Sequence, residues 1–173
     1  VALNGKIFFE QATTDQGQVV IVSVDEGNIA GFNGEGTDNT AININDARGT
    51  LIVSDAGIAG SLSFKTDTAF GEFSAEADVK LEINKMTDPG TGNPVAINYT
   101  GPFFTLLLEA GDYIKVVISD LSISFPGVEI EGDFSFKTAT KEGVEETIVV
   151  GNNVRIFIGD NTGGTLTGLE LIN

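Results

Sequence analysis

The chain has no cysteine, no histidine and no tryptophan, and only two tyrosines among 173 residues. Without cysteine there is no disulfide, no thiolate metal site and no cysteine nucleophile. Without histidine the usual general base, the commonest transition-metal ligand and the middle member of a hydrolase triad are missing. Basic side chains are scarce as well: nine Lys and Arg stand against 25 Asp and Glu, a formal net charge of −16. That balance argues against nucleic acid, because such binding draws on basic side chains that release counterions from phosphate. It argues against an anionic membrane surface for the same reason. Calcium or salt-rich surroundings suit the acidic surface, and so does the plainer role of keeping a Gly-rich β-protein soluble. No apolar run approaches the ~20 residues of a membrane helix, and no basic-then-apolar leader opens the chain. The first residues, "VALNG", lack an initiating Met, so the expectation is a processed or excised piece.

What is present is strand signal. Hydrophobic residues make up 41% of the chain, which excludes a disordered acidic tail. The stretch "FSAEADVKLEIN" (73–84) alternates without error. Phe73, Ala75, Ala77, Val79, Leu81 and Ile83 fall on one side, and Ser74, Glu76, Asp78, Lys80, Glu82 and Asn84 on the other, solvated side. A helix would scatter those apolar residues, whereas a strand gathers them on one face. Leu121, Ile123 and Phe125 continue the pattern, Pro126-Gly127 turns, and Val128, Ile130, Phe134 and Phe136 resume it. Further strands are expected at 17–24, 49–55, 103–110, 113–120 and 153–159. Loops are expected at "TDPGTGNP" (87–94) and "NGEGTDN" (33–39). No helical period appears.

The chain also echoes itself. "IAGSLSFKTDT" (58–68) and "IEGDFSFKTAT" (130–140) agree at Ile58/Ile130, Gly60/Gly132, Ser63/Ser135, Phe64/Phe136, Lys65/Lys137, Thr66/Thr138 and Thr68/Thr140. The opening stretch 3–13 shares Gly5, Phe9, Ala12 and Thr13 with the last of these. After a one-residue slip Gly17 meets Gly143, Val24 meets Val150 and Phe32 meets Ile158, and "RGTL" (48–51) finds an echo in "GGTL" (163–166). The implied period is near 127 residues (132 − 5). One full period then spans 3–129, 130–173 begins the next, and the middle copy is a shorter echo. Gly ahead of two inward aromatics marks a bulge or corner in a strand, with Lys65 and Lys137 on the solvated face.

These stretches, with the following "VVIV" (19–22) or "TIVV" (147–150) and with "VKLEIN…TG…VAIN" (79–98), resemble tandem-repeat β modules of very large secreted or surface-attached bacterial proteins of the adhesin type. The resemblance covers most of the chain. It implies an extracellular or cell-surface location and a load-bearing or spacer role, and it brings no catalytic residues. The calcium-binding nonapeptide repeats that often accompany such proteins are missing.

Candidate sites are sparse. Glu35, Asp38, Asn43, Asn45 and Asp46 form one oxygen-rich cluster and Asp160 with Asn161 another, but no EF-hand pattern exists, and Asp and Asn also fill turns. Glu76, Asp78 and Glu82 share a strand face as a solvated face would, and without a His or an aromatic cleft they do not make a glycosidase. Tyr99 and Tyr113 are the only Tyr rings for sugar stacking. The "NYT" sequon at 98–100 is a chance match, and a Lys–Asn crosslink fails because Lys65 and Lys137 point outward.

The expectation is therefore an all-β, elongated antiparallel β-sandwich or flattened β-roll, acting as a structural repeat module through end-to-end contacts. An open terminal strand should be visible at one end. Neighbouring copies of the same repeat are its partners, with no cofactor, no catalytic or metal residue, no nucleic acid and no membrane insertion. The rival reading is a calcium-assisted, lectin-like module that binds surface glycans.

Overall fold

Alternation on this scale builds strand after strand. The computed structural model describes residues 2–14, 17–30, 41–101, 104–141, 143–160 and 167–173. It contains β1 (Ala2–Thr14), β2 (Gly17–Ala30), β3 (Ala41–Ser54), β4 (Gly57–Phe70), β5 (Phe73–Asn84), β6 (Ile97–Thr100), β7 (Thr105–Leu108), β8 (Asp112–Phe125), β9 (Val128–Lys141), β10 (Val144–Asp160) and β11 (Thr167–Ile172). The protein is all-β. Among the described residues there is no helix, so none long and apolar enough to cross a membrane.

Nine strands form one antiparallel sheet in the order β1-β2-β3-β4-β5-β8-β9-β10-β11, and β6 and β7 form a separate two-stranded hairpin. The sheet is a meander that does not close. Fourteen-residue strands at about 3.3 Å per residue, and eight inter-strand gaps of about 4.8 Å, make it roughly 46 Å by 38 Å.

Paired residues share a face, so the register sorts the side chains. The row Ile7, Val24, Gly49, Leu62, Leu81, Val116, Phe136 and Val149 crosses eight strands on one face. The row Phe8, Ser23, Thr50, Ser61, Glu82, Lys115 and Lys137 crosses seven of them on the other. One face is thus apolar and the other polar, as the alternation in 73–84 requires.

The second layer is small and lies on the polar side. Residues 85–111 leave the sheet after β5, and their hairpin seats Met86, Ile97, Leu106 and Leu108 on Val19, Ile21, Ile52 and Ala59. Burying each large aliphatic side chain there stabilises the fold by roughly 1.5–3 kcal/mol. Alternation within β7 does the sorting, with Leu106 and Leu108 buried and Leu107 exposed.

This layer corrects one expectation: Asn84 is fully buried rather than solvated. Its Nδ2 donates to the carbonyls of Val95 (2.8 Å) and Glu109 (2.7 Å), and its Oδ1 accepts the Met86 N–H (3.1 Å). It pins both ends of the insertion to the sheet. A second correction concerns the phenylalanines read as inward. They do gather on the apolar face, but no described element covers it, and Phe9 remains 74% exposed.

A row of bulges crosses the sheet at mid-height. Glu26, Asp46, Asp120 and Asn153 all adopt left-handed φ of 52–54°, and the register shifts beside each of them. Gly5 and Gly132 face two of these bulges with φ of 145° and 146°. A Cβ on Gly5 would lie 2.8 Å from the Gly27 Cα, and one on Gly132 would lie 3.0 Å from the Val154 Cα. Only glycine fits this close approach at that φ.

The two ends of the sheet correspond. Asn4 pairs Asn28 as Glu131 pairs Arg155, and Phe9 pairs Val22 as Phe136 pairs Val149. Thr14 pairs Gly17 as Lys141 pairs Val144, a constant offset of 127 residues (144 − 17). The next strand keeps step: Ile29 pairs Ile44 as Ile156 pairs Leu171, and Ala30 pairs Asn43 as Phe157 pairs Glu170. No slip is needed, because Gly17 corresponds to Val144 and the turn glycine Gly143 sits one place earlier. The middle echo behaves differently. Gly60 lies in an unbulged stretch between Leu51 and Ile83, and Phe64, not Gly60, faces the bulge of β3. The corner expected at Gly60 is absent.

Candidate functional site

The open margins of the sheet dominate the surface. β11 pairs with β10 only from Arg155 to Asp160. Among the described residues, nothing pairs the outer edge of β10 from Val144 to Gly151. That segment carries Val144, Ile148, Val149 and Val150, all exposed. An antiparallel strand that is apolar on both faces is built to be covered on both. The comparison inside the molecule is direct: Ile21, which corresponds to Ile148, is 1% exposed, against 57% for Ile148. At the opposite margin the outer edge of β1 exposes Ile7 and Phe9. Among the described residues β1 is therefore an open terminal strand, as expected.

Polar side chains hold the bulges in place. The carboxylate of Asp133 on β9 accepts the Asp120 N–H (3.0 Å) and the Asn153 amide (3.1 Å), so it ties β8 to β10. These two bonds hold its carboxyl below the usual carboxylate range. Asn28 does the same work at the other end: its Oδ1 accepts the Asp46 N–H (3.2 Å) and its Nδ2 donates to the Glu26 carbonyl (2.9 Å). Arg155 bonds Glu129 (3.2 Å), Glu131 (3.1 Å) and Glu170, stitching β9, β10 and β11 together. The three carboxylates push its guanidinium pKa above the ordinary arginine value. Lys6 bonds Glu26 at 2.7 Å, which lowers the Glu26 pKa. The bulged strands are therefore cross-braced.

No family model, curated protein or solved structure matches the chain.

The candidates read from sequence fall as follows. Asn43 and Asn45 come together, but both donate to the carboxylate of Asp67, at 2.7 and 2.9 Å. Asp46 is the left-handed bulge residue of β3. Glu35, Asp38 and Asn161 lie outside the described residues, and Asp160 ends β10. Among the described residues no group of three or more carboxylates stands close enough to hold a metal ion. Asp78 pairs with Lys65 (3.4 Å) and Glu82 with Lys80 (2.7 Å) and Lys115 (3.8 Å). Glu76 and Asp78 line a shallow depression of about 330 Å³ on the polar face. Their strand lays the three acids in line along one surface. Tyr113 is buried, with the Lys137 ammonium 4.6 Å from its ring centroid. Tyr99 tilts against Phe104 at 6.0 Å and donates its hydroxyl to Glu10 at 3.1 Å. Desolvation, then the Glu10 bond, raises the Tyr99 pKa. Lys65 is exposed and lies on the polar face, as does Lys137.

Two functional features escaped sequence reading. The left-handed bulges needed side chains that tolerate φ > 0, and only Asn and Asp advertise this; Glu26 does not. The cover over Val19 and Ile21 needed the insertion to fold back, which strand periodicity does not encode.

Proposed function

We propose that this chain is a structural module that extends a large extracellular or cell-surface protein, or a filament, through contacts between successive copies. The supporting observation is the constant 127-residue offset that maps β1, β2 and the start of β3 onto β9, β10 and β11, bulges included. A sheet that begins again in the same register can be continued without a change of geometry. Each copy then contributes six sheet strands, β1 to β5 and β8, with the β6–β7 hairpin riding on the polar face. The bulge row, braced by Asn28 and Asp133, keeps successive strands in step. The acidic polar face stays hydrated while the lateral backbone ladder carries the mechanical continuity. The extracellular setting follows from the resemblance to adhesin-type repeats.

The parent sequence tests this reading. Flanks that repeat the Gly5, Gly132 and bulge positions at the same spacing are the expected result, and unrelated flanks would remove the reading.

A further inference from the structure

We propose that the outer edge of β10 from Val144 to Gly151 is a strand-acceptor site. Its occupant is an antiparallel strand with the pattern of Arg48–Ser54, supplied by the next copy of this module. The inference rests on the reading above and names the contact through which copies join.

The template lies within the molecule. β2 corresponds to β10, and β2 is covered by β3 in a fixed register: Val20 faces Val53, Val22 faces Leu51 and Val24 faces Gly49. Shifted by 127, these positions become Thr147, Val149 and Gly151. A leucine opposite Val149 would extend the apolar row that already runs through Val116 and Phe136. An isoleucine opposite Ile148 would reproduce the Ile21–Ile52 pair on the other face. The register is already primed, since Leu171 and Glu170 of β11 occupy the neighbouring stretch of β10 in the place that Ile44 and Asn43 hold on β2.

Composition points the same way. Natural edge strands are guarded by Lys, Pro or inward charges. Glu145 and Glu146 are the only charged residues of the Val144–Gly151 edge, and the run Thr147–Gly151, "TIVVG", that would take the new strand has no Lys, Pro or charge. An uncharged, β-branched edge left open is an aggregation hazard, and a dedicated partner strand removes it. The other margin is complementary: β1 corresponds to β9, whose outer neighbour is β8, so β1 offers its edge to a strand of β8 type.

The test uses the labelled 173-residue chain and a synthetic peptide with the sequence of residues 46–54. A control peptide carries Thr50→Pro and Leu51→Pro, which remove the ladder donor on whichever side faces β10. Amide exchange should slow by about tenfold or more at Thr147–Gly151, the effect of roughly 1.4 kcal/mol of pairing. The proline peptide should leave exchange unchanged. A second format continues the chain past Asn173 with the sequence of Ala47–Ser54. Protection of 147–151 in either format supports the proposal. Unchanged exchange in both, or a peptide that seats on β1 instead, overturns it. If the parent carries further copies and these amides stay open in a two-copy chain, the contact is wrong and the module reading stands. If the flanks hold no copies and the peptide still binds, the module reading is wrong, the next copy as donor is wrong with it, and only the acceptor edge survives.

Discussion

Replacing Asn84 by Ala should be among the most damaging single changes on the polar face. The side chain has no exposure and makes three hydrogen bonds, to Val95, Glu109 and Met86, across the neck of the 85–111 insertion. Alanine would strand two carbonyls and one N–H in a site without solvent. At about 1 kcal/mol net per bond, and more for each stranded group, the loss is about 3–4 kcal/mol. For a chain of this size that lowers the melting temperature by about 6–16 °C. Urea unfolding followed by circular dichroism gives the free energy directly. Asn84→Asp sharpens the test, because a carboxylate would face two carbonyl oxygens. Its folded pKa must then lie above the unfolded value of about 3.9. The sign follows: below that value both states are protonated and nothing is lost, whereas stability falls as pH rises through the folded pKa. Asn84→Asp should therefore approach the parent protein in acid and fall away from it near neutrality. A loss for Asn84→Ala no larger than the roughly 0.5 kcal/mol of an ordinary surface substitution would refute the reasoning.

Three further outcomes can be checked. Ile21→Ala should cost about 2–5 kcal/mol, while Ile148→Ala, at the corresponding but exposed position, should cost no more than about 0.5 kcal/mol; equal losses in denaturant titration would contradict the exposed edge. Gly5→Ala should cost about 1–3 kcal/mol, because its Cβ would meet the Gly27 backbone at a φ that alanine avoids; unchanged thermal stability would refute the close approach. Hydrogen bonds depress the Asp133 pKa. Its contribution is thus present above the ordinary carboxylate pKa and lost as pH falls through the folded value, so Asp133→Asn should flatten part of the acid limb of a stability–pH profile, and an identical limb would count against the brace.

Much of this architecture could be read from residue order, and the rest could not, for identifiable reasons. β5 runs from Phe73 to Asn84 as its alternation requires, and Pro126-Gly127 turns between β8 and β9. Alternation reports which residues share a face but not what covers that face. It therefore placed Asn84 on the solvated side, although the insertion buries it, and it placed Phe9 inward, although nothing described lies over it. Identity between 58–68 and 130–140 was likewise a guide to strand type and not to position, since only Gly132 meets a bulge. Of the edge at Val144–Gly151 only the apolar run "TIVV" (147–150) was legible. Its openness was not, because openness depends on which strands pair.

The most direct measurement is the length of engineered chains holding one, two and three successive copies, by electron microscopy or solution scattering. Six strand spacings of about 4.8 Å per copy predict a rod that lengthens by about 29 Å each time at constant cross-section. Separate beads on a flexible tether, or particles that thicken without lengthening, would contradict the account.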